Sequence, residues 1–123
     1  ASGTRNWIDL MRSDDDGQEW RYVSTPAPDT GIGGNPPAMI HLSDGRVCLI
    51  YGYRDPPSGI RAVLSGDEGR SWGEEIVLRD DGGNHDIGYP RAAQRSDGSI
   101  VSIYYYNDSS GGERYIATTI WKP

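Results

Sequence analysis

Several residue types are scarce in this 123-residue chain, and each scarcity excludes a class of protein. The single cysteine, Cys48, rules out an internal disulfide. The longest apolar run, Val47 to Tyr51, is too short for a transmembrane helix, and no basic-then-apolar leader opens the sequence. One lysine stands beside eleven arginines in a chain of net charge −6, so the clustered cations of a nucleic-acid surface are missing. We therefore expect neither a nucleic acid nor a membrane as a partner.

Helix signals are also scarce, because glycine or proline interrupts almost every window long enough for three helical turns. Short β-branched and aromatic runs recur instead between clusters of turn residues, which predicts an all-β chain built from hairpins. The Asp-Gly pairs at 44–45 and 97–98 suit tight hairpin turns. The predicted strands cover Trp7–Arg12, Glu19–Ser24, Ala38–Leu42, Arg46–Tyr53, Ile60–Ser65, Ser71–Arg79, Arg91–Arg95, Ser99–Asn107 and Arg114–Trp121.

The chain repeats itself at a spacing of about fifty residues. A shift of 53 residues superposes Ser43-Asp44-Gly45 on Ser96-Asp97-Gly98, and a shift of 52 superposes an octet at 13–20 on an octet at 65–72. Four short strands in a unit of this length match one blade of a β-propeller. With strands labelled a to d from the axis outward, the predicted units are a partial blade at 1–25 (strands c and d), a full blade at 36–79 (strands a to d) and a partial blade at 89–123 (strands a to c).

Both octets follow the pattern Ser-x-Asp-x-Gly-x-x-Trp, which resembles the Asp box, or BNR repeat, of the sialidase (neuraminidase) superfamily. The matching positions are Ser13, Asp15, Gly17 and Trp20 in the first octet and Ser65, Asp67, Gly69 and Trp72 in the second. The resemblance implies an Asp-box β-propeller portion of about two to two and a half four-stranded blades, similar to the C-terminal blades of that family. In such a box the Asp and Ser side chains bond nearby backbone amides and the Trp packs under the turn, so we expect a structural role.

Strand direction assigns the remaining loops to two faces. The octets and the Asp-Gly turns fall on one face, and the longer polar connections fall on the other, at 29–37, 54–59, 80–89 and 107–113. Long loops on a rigid scaffold commonly carry binding groups, so we expect any site among these connections.

Two residues on the loop-rich face resemble functional positions of the sialidases. Arg61, at the start of a c strand, is similar to the last arginine of the triad that grips the substrate carboxylate. Tyr89 follows twenty-eight residues later at the start of the next a strand, where the family has its tyrosine nucleophile. A neighbouring carboxylate would have to take the phenol proton, since free tyrosine titrates at about 10. Asp86 is the candidate for acid/base chemistry, and Arg54 and Arg5 are further candidates for substrate binding.

Three of these residues also have an interpretation that involves no ligand. Arg61 could form an ion pair with a facing carboxylate, which its match with Arg114 one repeat later supports, and Tyr89 could pack against a neighbouring blade. Arg54 beside Asp55 could be a surface pair. The two histidines show no zinc-ligand spacing, and we expect neither a metal nor a cofactor.

The resemblance implies a portion of a sialidase-like glycoside hydrolase, of the exo-sialidase type if it is active, that contributes part of a site for an acidic sugar or glycan. The alternative is a non-catalytic carbohydrate-binding or assembly propeller that uses the same scaffold. Nine predicted strands are too few to close a propeller ring, so we expect further copies of the chain, or blades of a longer chain, to complete it. The residues leave the compartment open, and a secreted or periplasmic location is compatible with them.

Overall fold

The computed structural model describes residues 5–123, and this part of the chain holds nine strands and no helix. The all-β prediction is therefore confirmed. No element of the described part is a helix with the length and hydropathy needed to cross a membrane. The strands are β1 (Ile8–Arg12), β2 (Arg21–Ala27), β3 (Ala38–His41), β4 (Val47–Tyr53), β5 (Gly59–Ser65), β6 (Ile76–Arg79), β7 (Gly88–Gln94), β8 (Ile100–Tyr106) and β9 (Tyr115–Trp121).

Consecutive strands pair into three antiparallel sheets. The first sheet contains β1 and β2, the middle sheet contains β3 to β6, and the last sheet contains β7 to β9. Every pairing joins strands that are adjacent in sequence, so each sheet is a simple meander. The middle sheet lies between the other two, and β3 and β4 contact β7 across the boundary with the last sheet.

Strand β4 lies at the centre of the molecule and is buried on both faces. Cys48 and Ile50 pack in the core shared with the last sheet, whereas Leu49 and Tyr51 pack in the core shared with the first sheet. Burial on two sides explains why this strand is the longest apolar run of the sequence. Burial also raises the pKa of the Cys48 thiol to about 12, so the thiol stays protonated and unreactive at neutral pH.

The two octets fold into the same turn. In the second octet the hydroxyl of Ser65 accepts the N–H of Gly69 at 2.8 Å and donates to Asp67 Oδ1 at 2.8 Å. The same carboxylate oxygen accepts the N–H of Ser71 at 2.8 Å, and the hydroxyl of Ser71 donates to Oδ2 at 2.5 Å. These bonds, led by that of Ser71, lower the pKa of Asp67 to about 2. Equivalent bonds of 2.8 to 2.9 Å in the first octet join Ser13 to Gly17, Ser13 to Asp15 and Asp15 to Glu19.

The tryptophans of the two octets differ in burial. Trp72 is half-buried against the core between the first and middle sheets, and its Nε1 donates to Ser24 Oγ at 3.0 Å. Trp20 donates from Nε1 to the carbonyl of Gly17 at 3.1 Å but is 61% exposed. Each ring lies against the glycine of its own turn, as expected, because a Cβ atom at Gly17 would lie 3.7 Å from Trp20 and one at Gly69 would lie 3.6 Å from Trp72. Trp72 also packs against the core between two sheets, which Trp20 does not do among the described residues.

The octet turns also shift two strands from their predicted bounds. Strand β2 begins at Arg21 rather than Glu19, and β6 begins at Ile76 rather than Ser71, because the last residues of each octet belong to the turn. The Asp-Gly hairpin turns are confirmed. Gly45 and Gly98 adopt φ of 91° and 87°, a conformation in which glycine has no steric cost.

Candidate functional site

Four of the five predicted catalytic and binding residues lie at one end of the middle and last sheets. Arg54 directly follows β4, Arg61 is the third residue of β5, and Asp86 and Tyr89 flank the start of β7 at Gly88. Antiparallel pairing brings the end of β4 beside the start of β5 and the start of β7 beside the end of β8. We call this region the loop end of the molecule.

Arg5 lies apart from this group, in the stretch that precedes β1. Its exposed guanidinium donates twice to the carbonyl of Pro28, from Nε at 3.2 Å and from NH2 at 3.0 Å. A shallow depression of about 270 Å³ lies beside it, lined by Arg5, Trp7, Thr25 and Pro28. These contacts fasten Arg5 to the first sheet.

Tyr89 is the most accessible of the predicted site residues at the loop end. Its side chain is 54% exposed, and its ring centroid lies 5.7 Å from that of Tyr105 at an interplanar angle of 52°. The Arg54 guanidinium lies over the Tyr89 ring at 5.8 Å from its centroid. The backbone at Tyr89 has a φ of 52°, which is uncommon for a bulky side chain. The ring is therefore presented to solvent from an unusual backbone conformation.

Asp86 is engaged by two residues of the last sheet. Tyr105 donates its hydroxyl to Oδ1 at 2.7 Å, and Arg114 donates from Nε to Oδ2 at 2.7 Å. The bond from Tyr105, followed by that from Arg114, holds the pKa of Asp86 below its usual range, so Asp86 is ionised at neutral pH. The pKa of Tyr105 rises to about 12, mainly through burial and then through the bond to Asp86. Within residues 5–123 no carboxylate forms a hydrogen bond with the Tyr89 hydroxyl.

Arg54 fixes three elements of the loop end together. Its guanidinium donates to the carbonyl of Ile87 at 3.0 Å, to the carbonyl of Gly33 at 2.7 Å and to the hydroxyl of Tyr105 at 3.1 Å. These bonds join the loop before β3, the loop before β7 and the end of β8. Arg54 therefore lies against the Tyr89 ring and bonds the Tyr105 hydroxyl, and among the described residues no ion pair joins it to Asp55.

Arg61 forms a separate group toward the first sheet. Its NH1 lies 2.9 Å from Glu75 Oε2, and its guanidinium carbon stacks 3.5 Å from the ring centroid of Tyr53. The buried Tyr51 donates its hydroxyl to the same Glu75 oxygen at 2.5 Å. Burial, followed by this bond, raises the pKa of the Tyr51 phenol. Arg61 thus forms the ion pair that one interpretation of the sequence proposed. Its partner Tyr53 is adjacent in the chain to Arg54, which contacts Tyr89.

An open cleft of about 520 Å³ lies between β2 and the second octet. Glu75, the partner of Arg61, lines one side of this cleft together with Trp72, and the exposed Tyr22 lines the other. The charge of the Arg61 group is therefore accessible to solvent through Glu75, whose side chain is 42% exposed.

Three residues that hold the loop end together through hydrogen bonds were not among the predicted site residues: Tyr105, Arg114 and Asn35. The repeat offered a signal for Arg114, because the 53-residue shift aligns it with Arg61, and each of these arginines pairs with a carboxylate. No sequence pattern indicated Tyr105 or Asn35, because their partners at the site lie 19 and 54 residues away in the chain. Among residues 5–123 no three His, Cys, Asp or Glu side chains are grouped to hold a metal ion.

No family model matches this chain, and no curated protein matches it. A solved structure does: the crystal structure of a protein of unknown function from Dyadobacter fermentans DSM 18053 is 35% identical in sequence, with a TM-score of 0.77. The match covers 98% of this chain and 32% of that protein. The chain therefore spans about a third of the length of its structural relative.

The loop end combines an exposed aromatic surface with a fixed set of charges. The Arg54 guanidinium lies over the Tyr89 ring and bonds the hydroxyl of the neighbouring Tyr105, while Asp86 and Arg114 neutralise each other. A ring face of this kind can stack on the apolar face of a sugar, while hydroxyl and guanidinium groups around it can bond sugar oxygens. The arrangement is thus suited to binding, and proton transfer at Tyr89 would require an additional base.

Proposed function

We propose that the chain is a portion of a sialidase-like Asp-box β-propeller and that its loop end contributes part of a binding site for an acidic sugar. The fold part of this proposal rests on three stacked antiparallel meanders and on two octets that fold into the same turn at the repeat distance. In a propeller, such sheets are blades and the turns join their outer strands. The middle sheet would be a full blade.

The observation that carries the binding part is the exposed Tyr89 ring above Arg54. An exposed aromatic held between a second aromatic and a guanidinium offers both a stacking surface and positive charge for a sugar carboxylate. Arg54 supplies that charge beside the ring, whereas the charge of Arg114 is neutralised by Asp86. Arg61 would reach the same ligand only if its bond to Glu75 were exchanged for one to the sugar.

Hydrolysis of the exo-sialidase type is the second candidate, favoured by the exposure of Tyr89 at the position that resembles the family's nucleophile. Free tyrosine titrates at about 10, so a phenol needs a neighbouring carboxylate to act as a nucleophile at neutral pH. Asp86 is already committed to Tyr105 and Arg114, and its lowered pKa makes it a poor proton acceptor. In this form of the proposal, the activating carboxylate comes from outside the chain described here.

Binding and turnover are separable with two substitutions of one residue. We expect the chain to bind an immobilised sialylated glycan better than the same glycan without its sialic acid. Tyr89→Ala should abolish this binding, whereas Tyr89→Phe should retain it because the ring face remains. Tyr22→Ala, which removes another exposed tyrosine that is 58% accessible, is the matched control and should bind normally.

A fluorogenic sialoside tests the hydrolytic candidate in the same set of proteins. Release of the fluorophore by the chain, lost on Tyr89→Phe, would establish hydrolysis through the phenol oxygen. Binding without release supports the non-catalytic form. Equal binding of both glycans, or undiminished binding by Tyr89→Ala, would contradict the proposed site.

A further inference from the structure

Tyr89 has an unusual backbone conformation for a bulky residue in a strand. Within residues 5–123, three residues other than glycine have a positive φ: Asp16, Glu68 and Tyr89, at 59°, 60° and 52°. Asp16 and Glu68 occupy equivalent positions of the two octet turns, where the left-handed conformation belongs to the turn itself. Tyr89 instead belongs to strand β7, and a bulky side chain in this region of φ is sterically unfavourable. Such a conformation persists only where surrounding groups enforce it.

The side chain of Asn35 forms a hydrogen bond with the backbone of this strained segment. Asn35 is buried in the loop before β3, with 8% of its surface exposed. Its Oδ1 accepts the N–H of Tyr89 at 3.2 Å and the N–H of Gly52 at 3.3 Å, while its Nδ2 donates to the carbonyl of Gly52 at 3.0 Å. One amide side chain therefore ties the end of β4 to the start of β7.

Two glycines leave the space that this amide occupies. A Cβ atom at Gly88 would lie 2.4 Å from Asn35 Oδ1, and a Cβ atom at Gly52 would lie 2.9 Å from it. Both distances are too short for any side chain, so the two strands form a slot that accepts the Asn35 amide only because both residues are glycine. The slot thus fixes the Asn35 amide beside the N–H of Tyr89.

We infer that Asn35 is a positioning residue that holds Tyr89 in the left-handed conformation and so presents its ring for stacking on a sugar. The ligand in this inference rests on the proposed function, whereas the restraint on the backbone does not. A relaxed backbone at residue 89 would reorient the ring with respect to Arg54 and Tyr105, which now lie beside it. Ligand binding then benefits from a ring that is already in place.

Two substitutions of Tyr89 test the strain without any ligand. Tyr89→Gly should unfold at a higher urea concentration than Tyr89→Ala, because glycine takes a positive φ at no steric cost. At Tyr22, the control pair Tyr22→Gly and Tyr22→Ala should show the opposite order, since glycine weakens an ordinary strand. A Tyr89→Gly protein that is no more stable than Tyr89→Ala would overturn the inference.

Substitution of Asn35 tests the restraint directly. In Asn35→Ala, the backbone ¹³C chemical shifts of residue 89 should leave the left-handed range. Asn35→Asp should keep them in that range at acid pH, where a protonated carboxyl accepts the Tyr89 N–H and donates to the Gly52 carbonyl. Left-handed shifts that persist in Asn35→Ala would show that other groups enforce the conformation and would overturn the role of Asn35. If Asn35→Ala does not fold, two measurements still test the restraint: the urea unfolding of Tyr89→Gly against Tyr89→Ala, and the ¹³C chemical shifts of residue 89 in Asn35→Asp.

Binding of the immobilised sialylated glycan tests the consequence for a ligand. Asn35→Ala should weaken binding about tenfold, a factor that corresponds to about 1.4 kcal/mol. Thr30→Val is the matched control, because Thr30 lies in the same loop and its buried hydroxyl has no hydrogen-bond partner within residues 5–123. It should bind as the wild type does. Unchanged glycan binding by Asn35→Ala would contradict the positioning role. If the wild type does not bind the glycan, the proposed function is contradicted, and the restraint on the Tyr89 backbone is then tested by urea unfolding and chemical shifts alone.

Discussion

Tyr89 and Tyr105 are neighbouring rings whose surroundings give them different chemistry. The hydroxyl of Tyr105 donates to Asp86 and accepts from Arg54, and its pKa is raised to about 12. Tyr105 therefore has a structural role at the loop end, because its hydroxyl connects the Asp86 carboxylate to the Arg54 guanidinium. The neighbouring ring of Tyr89 is 54% exposed and available for contact with a ligand.

The role of Tyr105 can be tested by removing its hydroxyl. Asp86 has a folded-state pKa below its usual value, so it stabilises the fold above pH about 4, and this contribution is lost as the pH falls. Tyr105→Phe should raise the pKa of Asp86 toward its usual value and lower the free energy of unfolding at pH 7 by about 1 kcal/mol. A ¹³C carboxyl titration and urea unfolding measure the two effects. An unchanged Asp86 titration in Tyr105→Phe would contradict the assignment, and Tyr89→Phe is the matched control.

At the scale of elements, the two octets fold into the same turn but have different surroundings. Their internal hydrogen bonds have nearly the same lengths, so the turn itself is defined by its eight residues. The surroundings differ. Trp72 donates a hydrogen bond to Ser24 of the neighbouring sheet, whereas within residues 5–123 the indole N–H of Trp20 bonds only to its own turn, at Gly17. The second octet therefore joins two sheets in addition to closing a hairpin.

The same substitution in both octets separates these two roles. Trp72→Ala should lower the free energy of unfolding by about 2–3 kcal/mol, somewhat less than the roughly 3–5 kcal/mol typical of a fully buried aromatic. Trp20→Ala, at the equivalent position but 61% exposed, should cost less than about 1 kcal/mol. Urea unfolding measures both. Equal losses in the two variants would mean that the turn, and not the contact between sheets, accounts for the stability.

Local patterns predicted the strands and turns, whereas contacts between sheets could not be read from the sequence. The Asp-Gly pairs and the octets encode their own turn geometry, because the hydrogen bonds that close each turn join residues at most four apart. The pairing of Arg61 with Glu75 and of Asn35 with Tyr89 depends on how the strands align and how the sheets pack. Strand direction predicted which end of the sheet carries Arg61, but it did not predict that Glu75 would be the carboxylate paired with Arg61.

At the scale of the whole molecule, the outer face of the last sheet is apolar and uncovered. Ile103, Ile116 and Ile120 are 44%, 72% and 57% exposed. Strand pairing places Val101 opposite Ile120 and Ile103 opposite Thr118, so these residues share one face. The 53-residue shift aligns Val101 and Ile103 with Cys48 and Ile50, which are buried in the middle sheet against the last sheet. The exposed face therefore repeats a surface that elsewhere in the molecule packs against another sheet.

We predict that a second copy of the chain covers this face in solution, because an uncovered apolar sheet favours association. Light scattering should then give a multiple of 13.5 kDa, and three copies would provide the six blades of a common propeller size. Ile116→Lys, at the most exposed of the three isoleucines, should shift the protein toward the monomer. Val77→Lys is the matched control, because Val77 is a 52% exposed strand residue of the middle sheet outside this face, and it should leave the mass unchanged. A concentration-independent monomer of the wild-type chain would contradict self-association, and the apolar face would then have to be tolerated in contact with water.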